Sequence, residues 1–351
     1  MKKLLFTVIA TCLTLSAMAE DLQYGRNVKD FASTPKVGGY VIGKYAYTDQ
    51  AKKHDGDGFS QRLVRLYVDG TILNDFKYRV QLQLNNDKFH MKDYYVEWAH
   101  WKEFSVKVGQ YKRAFLFENP YNPWNVGFGD YSQITKKLSG MGDYCGEGSS
   151  VGGRDQGIQI QGDLFPAADG HRYLHYQLQL MNGQGINVAD ANARKDIIGT
   201  LQVQPITDLY IGAFGWKGNY TDGTVTVDRN RWAVSAKYEH NDWSARVEYA
   251  HSEGYKLSDW DDSNKVFNGT GKADGWYAAV GVPVNDWLKI YGKYDVYRDQ
   301  ADKASMNTVY SIAPNIQIHK NLMLQLQYNL VDNEPTSSKW NEVWAEFYVR
   351  F

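Results

Sequence analysis

Residues 340–351, "WNEVWAEFYVRF", close the chain. Read at period two, Val343, Ala345, Phe347, Val349 and Phe351 share one face, and Glu342, Trp344, Glu346, Tyr348 and Arg350 share the other. Such alternation marks a strand with one apolar and one polar side. A sandwich in water can end on such a strand, and so can a barrel in lipid. The rest of the chain decides what the apolar face touches.

The pattern recurs along the whole sequence. In "FKYRVQLQLN" (76–85), Phe76, Tyr78, Val80, Leu82 and Leu84 oppose Lys77, Arg79, Gln81, Gln83 and Asn85. In "NLMLQLQYNL" (321–330), Leu322, Leu324, Leu326, Tyr328 and Leu330 oppose Met323, Gln325, Gln327 and Asn329. The polar faces carry glutamine, where a soluble sandwich would carry lysine and glutamate. Strands are predicted near 36–47, 61–72, 75–85, 90–100, 103–112, 154–164, 171–181, 194–204, 208–216, 230–240, 243–252, 274–283, 286–297, 307–318, 321–331 and 340–351. Short links, at 73–75 and around "HWK", "QPIT", "HND", "PVND" and "IHKN", alternate with mostly long ones at 48–60, 182–193, 217–229, 253–273 and 298–306.

That alternation predicts an all-β fold: a transmembrane antiparallel β-barrel of about 16 strands, with short periplasmic turns and long extracellular loops. The last strand then closes against the first, so no unpaired edge meets lipid. Phe351 falls at the periplasmic interface, where aromatic rings are favoured.

Composition agrees with a barrel. The chain is 15% aromatic, yet its mean hydropathy is −0.54. Apolar outward and polar inward faces cancel in any such average. At the N-terminus, Lys2 and Lys3, the apolar run Leu4–Leu15 and small Ala17–Ala19 form a secretory signal peptide. Cleavage is expected after Ala19, leaving residues 20–351 as one barrel domain in the Gram-negative outer membrane. After Leu15 no apolar run approaches the ~20 residues of a membrane helix. A net charge of −1 gives no support for a nucleic-acid partner. Cys145 has no partner in the exported chain, so no disulfide framework is expected.

Several stretches together resemble the phosphate-selective porin O/P family. They are "RLVRLYVDGTILNDFKYRVQLQLN" (62–85), "VKVGQYKRAFLFENPYNP" (106–123), "GGRDQGIQIQGDL" (152–164), "YQLQLMNGQG" (176–185) and "KDIIGTLQVQP" (195–205). The likeness runs from about Tyr40 to Phe351. It implies a sixteen-stranded, homotrimeric outer-membrane channel for small hydrophilic solutes, phosphate or other anions among them. The other partners expected are outer-membrane lipid, lipopolysaccharide and the barrel-assembly machinery. Tyr348 and the terminal Phe351 resemble the closure and assembly signal of such proteins.

The longest link, 113–153, is expected to fold into the lumen and narrow it, since structureless loops of this length are usually functional or disordered. It would bring Lys112, Arg113, Glu118, Lys136 and Lys137 near the path; the alternative is an extracellular lid. Its aromatic residues, among them Phe115, Phe117, Trp124 and Phe128, argue for packing against something. Strand parity places Arg65, Lys77, Arg79, Lys107, Lys237, Arg246, Lys289, Lys293 and Arg350 inward. It also places Asp69, Asp93, Glu97, Asp163, Glu239, Glu248, Asp295, Glu342 and Glu346 there. Strong selection needs rings of one sign. Mixed charge therefore predicts a passive, weakly selective pore, with an anion- or phosphate-selective channel as the alternative. A barrel with a closed lumen serving as adhesin or receptor is a further one.

Other chemistry finds little footing. "HDGDG" (54–58) and "DWDDSN" (259–264) cluster carboxylates but lack the EF-hand pattern, and read as solvated turns. No serine stands in a G-x-S-x-G setting. His171 and His175 lie ~13 Å apart on a strand. No enzyme activity and no cofactor are predicted. Trp98, Trp232, Trp243, Trp276, Trp287 and Trp340 read as interface anchors. Inward Tyr95, Tyr291, Trp344 and Tyr348 offer a lesser reading as sugar-stacking platforms.

Overall fold

The computed structural model describes residues 33, 35–50, 57–85, 88–148 and 152–351. The expected signal peptide, 1–19, and residues 54–56 of the first acidic loop lie outside them. Among the described residues, sixteen antiparallel strands close a barrel in chain order. They are β1 (Lys36–Thr48), β2 (Gly58–Ile72), β3 (Phe76–Asn85), β4 (Lys88–Trp98), β5 (Ser105–Lys112), β6 (Arg154–Pro166), β7 (Arg172–Met181), β8 (Asp196–Ile206), β9 (Leu209–Thr221), β10 (Thr226–His240), β11 (Trp243–Glu253), β14 (Lys272–Asn285), β15 (Leu288–Arg298), β16 (Met306–His319), β17 (Leu322–Asn333) and β18 (Ser338–Arg350). β12 (Trp260–Asp261) and β13 (Val266–Phe267) pair as a small ribbon in an outer loop.

Closure runs through the last strand. β18 pairs with β1 in the register Tyr40↔Arg350 to Thr48↔Glu342. Beyond it, Gly39 N–H donates to the Phe351 carbonyl at 3.1 Å, and Phe351 N–H donates back to Gly39 at 3.0 Å. The alternation keeps its expected sense: Val343 and Phe347 are exposed on the outer wall, and Glu346 and Tyr348 are buried inside. Turns at one end are tight. Asn241 and Asp242, both at positive φ, form the two-residue connection of β10 to β11. Asparagine and aspartate tolerate that conformation. One loop differs from expectation. The link expected at 217–229 is only 222–225, because β9 and β10 continue their ladder from Tyr238↔Leu209 up to Thr226↔Thr221.

Of the bulges in the described ladders, two, on β2 and β4, bear on the lumen. On β2, Ile42 faces Leu63 while Gly43 faces Gln61, so Arg62 is the extra residue. On β4, Gln81 faces Asp93 while Leu82 faces Met91, so Lys92 is extra. A bulge sets two residues against one and re-aims a side chain. Each here lets a cation join its neighbour inside the barrel.

The third outer loop folds into the lumen. Phe115, Phe117, Val126, Phe128, Ile134 and Leu138 bury themselves against the inner wall of β8–β11 and β14–β16, where Phe214, Trp216, Tyr277 and Tyr297 meet them. Ala233, Ala250, Ala273, Ala279 and Ala313 keep that wall low enough to accept the loop. A short helix, Gln133–Leu138, is capped by the Ser132 side chain, which accepts from Thr135 N–H. It packs on β11, β14 and β15.

Candidate functional site

The loop is held to the far wall by hydrogen bonds as well as by its apolar side. Glu248 of β11 accepts from Phe117 N–H at 2.6 Å and Glu118 N–H at 2.9 Å. Gln327 of β17 accepts from Gly129 N–H at 2.6 Å, and Asp295 of β15 accepts from Gln133 N–H at 3.0 Å. Carboxylates accepting backbone N–H groups make strong, short bonds. The return limb is pinned by charge. Arg113 donates to Glu147 at 3.0 Å and to Asp155 at 2.9 Å. Arg229 pairs with Glu147 and Asp196, and Arg231 with Asp143. All seven side chains are buried, and the three guanidiniums surround the Trp216 ring with centroid distances of 4.5–4.9 Å. Cys145 lies in this layer, and burial pushes its thiol up to about 12.

With the loop pressed to one side, a cleft remains between it and the inner wall of β2–β6. It has two connected chambers. The outer one, about 340 Å³, is lined by Arg62, Leu63, Arg65, Gln83, Lys92 and Arg154 on the wall. Lys112, Pro123, Asp130, Tyr131, Lys136, Met141 and Gly152 line it from the loop side. The inner one, about 280 Å³, adds Arg79, Asp93, Tyr95, Lys107 and Tyr111, with Pro120 and Asn122 of the loop. Arg65, Lys112 and Arg154 line both chambers and mark where they meet.

Those three cations differ in how their charge is balanced. Arg65 is held by neutral groups, the Tyr40 hydroxyl and the Gln83 side-chain oxygen, which accepts from Nε at 3.1 Å. Lys112 Nζ donates to the carbonyl of Asn119, to that of Tyr121 at 2.7 Å, and to the Tyr131 hydroxyl at 3.4 Å. Arg154 is paired with Asp93 through two bonds of 2.6 and 3.0 Å. Across the outer chamber, Lys136 Nζ lies 2.7 Å from Asp130. The enclosing lumen works against the charge of Asp130, but Lys136 and then Arg62 hold it down at about 2.

The Gram-negative porin family matches residues 6–336 of the sequence. The chain belongs to the Gram-negative porin family. Solved porins share the barrel at low identity. The anion-selective porin from Comamonas acidovorans is 14% identical, with a TM-score of 0.68 over 91% of this chain and 100% of that one. OmpF of Salmonella typhi, solved with daunomycin, is 11% identical with a TM-score of 0.65, covering 90% and 97%. The outer membrane channel DcaP of Acinetobacter baumannii is 14% identical with a TM-score of 0.62, covering 93% and 99%. No curated protein matches the sequence. This porin is an outer-membrane channel.

In the porin, the sequence-selected residues divide into groups. Arg65, Arg79, Lys107, Lys112 and Lys136 come together around the cleft. Arg79 pairs with Asp69 at 2.6 Å and Lys107 with Glu97 at 3.4 Å, both toward the turn end. Lys77, opposite Glu97, is exposed near that end. Arg113 borders the inner chamber, and Glu118 lines neither chamber. Both side chains are fully buried, because Arg113 anchors the return limb and Glu118 accepts from Ser132 N–H and Oγ. Lys137 is exposed on the short helix and lines neither chamber. Arg246, Lys289 and Lys293 lie on the opposite wall. Arg246 donates to the Val126 carbonyl, Lys289 sits over the Tyr291 ring, and Lys293 lies 3.5 Å from Asp295. Tyr348 is buried, and its hydroxyl donates to Gln325 at 2.8 Å and accepts from Arg62 at 2.7 Å.

Parity missed Arg62, Lys92 and Arg154. The signal for the first two was present: each interrupts an alternating run with a cation where a lipid-facing apolar residue is due. A mid-strand charge facing lipid costs ~2–4 kcal/mol, so such an interruption marks a bulge. Arg154 stands at the start of β6 opposite Lys112, where the ladder ends and parity no longer governs. In the second acidic loop, Asp261 accepts from Ser263 and Asn264 N–H and Asp262 pairs with Lys265, the bonds of a solvent-exposed turn.

Proposed function

We propose that this porin passes small solutes passively and prefers anions, with the cleft between the third loop and β2–β6 as its path. One observation carries the reading. The outer chamber brings Arg62, Arg65, Lys92, Lys112, Lys136 and Arg154 together with one carboxylate, Asp130, among the described residues that line it. Several of the lumen's acids are engaged elsewhere. Glu147, Asp143, Asp155 and Asp196 are buried against arginines, and Glu248 and Asp295 hold the loop. A chain of nearly zero net charge thereby presents a cationic constriction. Confined, low-dielectric surroundings make one-signed charge effective at filtering ions. The pairs Arg154–Asp93 and Arg62–Glu346 temper the field, so the preference is moderate. The likeness to phosphate-selective O/P porins supports anion passage, as does the shared barrel of the Comamonas porin, itself anion-selective.

Assembly belongs to the same proposal. OmpT of Vibrio cholerae, of which a trimer form is solved, shares the barrel at 12% identity with a TM-score of 0.61 over 92% of this chain and 100% of that one. We read this porin too as a homotrimer embedded among lipopolysaccharide and lipid, with terminal Phe351 as its signal to the assembly machinery. The test of selectivity is a planar bilayer under a potassium chloride gradient. A reversal potential on the chloride side is expected; one at zero or on the potassium side rejects the anion preference. A folded protein that conducts nothing would favour the closed receptor barrel instead.

A further inference from the structure

The cleft is not uniformly polar. Interleaved with its cations, the outer chamber presents Leu63, Pro123, Tyr131 and Met141, and the inner chamber presents Tyr95, Tyr111, Ala114 and Pro120. A filter for hydrated inorganic anions has no use for such a wall, because apolar surface offers a compact, strongly hydrated ion nothing in exchange for its water. An anion with an apolar body gains from both kinds of group. Its charged end meets Arg65 and Arg154 while its body leaves water against Tyr131 and Met141. At about 340 Å³ the outer chamber is within the ~300–1,000 Å³ typical of small-molecule sites. Tyr131 is fixed there by its hydroxyl, which donates to the Tyr121 carbonyl at 2.6 Å, so its ring is held rather than free to swing.

We propose that the outer chamber is a transit site for organic monoanions with an aromatic or short alkyl body, such as aryl carboxylates, which it favours over small inorganic anions. The proposal rests on the anion preference argued above and adds the chemical class. Arg65 and Arg154 receive the carboxylate; Leu63, Tyr131 and Met141 receive the body.

Sodium benzoate and sodium acetate carry the same charged group on different bodies. Each is titrated against the chloride current of single wild-type channels in a bilayer, beside inorganic phosphate. Benzoate is expected to reduce the current saturably, with half-reduction at about tenfold lower concentration than acetate, the ratio that burial of one ring against apolar side chains supports. Met141→Gln should raise the benzoate midpoint about threefold or more and leave acetate unchanged. Equal midpoints for benzoate and acetate in a channel whose chloride reversal potential is on the anion side overturn this inference and spare the anion preference. So does a phosphate midpoint below that of benzoate. A reversal potential at zero or on the cation side overturns both. If Met141→Gln assembles poorly, the wild-type ratio of the two carboxylates decides alone.

Discussion

At Arg65 a guanidinium is oriented by a phenol and an amide, and no carboxylate is among those partners. Lys112 is likewise oriented, by loop carbonyls and a tyrosine hydroxyl. Such partners fix a cation without cancelling its charge. Arg65→Gln and Lys112→Gln should each move the reversal potential toward zero, and the double variant further; unchanged potentials would exclude them from the filter. Asp130 acts in the opposite sense, and Asp130→Asn should strengthen anion preference. Because its carboxyl is held at about 2, the pair with Lys136 is intact above the ordinary carboxylate range and is lost only as pH falls toward that value. The contribution of Asp130 to selectivity should thus be flat between pH 8 and pH ~4. Arg229 plays a structural part. Arg229→Leu leaves Glu147 and Asp196 buried without it, and should cost ~3–5 kcal/mol, read as a lower unfolding midpoint. Cys145, with a thiol near 12, should resist maleimide at neutral pH in the folded porin and react once the barrel is unfolded.

At the scale of the element, the strands were legible in the sequence and the contacts that hold the third loop were not. Alternation is local, so each run such as Phe76–Asn85 announces its two faces by itself. The third loop was recognisable by length and aromatic content, yet its partners Glu248, Asp295 and Gln327 lie 131, 162 and 198 residues from the groups they bind. No spacing in one sequence reveals contacts of that range. The same limit hid the fate of Arg113 and Glu118, whose charge suggested the path and whose partners bury them. β5 shows how a single backbone position matters. Gly109 adopts φ +135°, and a Cβ there would stand 2.1 Å from the Tyr94 carbonyl oxygen. Gly109→Ala should therefore weaken the β4–β5 ladder beneath Lys112. Glu248→Ala removes the acceptor for two loop N–H groups, Ser235 and Tyr277. Single-channel records of that variant should show larger, noisier conductance; a wild-type trace would mean that the apolar contacts alone hold the loop.

For the whole molecule, a net charge of −1 and mixed inward residues point to weak selection. That holds for the lumen taken as an average. The fold redistributes it, because bulges deliver Arg62 and Lys92 to the cleft while buried arginines absorb acids on the far side. Strand parity sorts charges between two faces and is silent on where each sign gathers. Bilayer steps should also report assembly: a homotrimer opens in conductance increments of three.

The central claim, that current crosses the cationic cleft, is tested most directly by placing charge inside it. Asn122, exposed on the loop and lining the inner chamber, is replaced by cysteine, the native Cys145 being buried. An anionic methanethiosulfonate reagent is then added to open channels in a salt gradient. We predict a fall in conductance and a shift of the reversal potential from the chloride side toward zero. Complete modification that alters neither quantity would contradict the account.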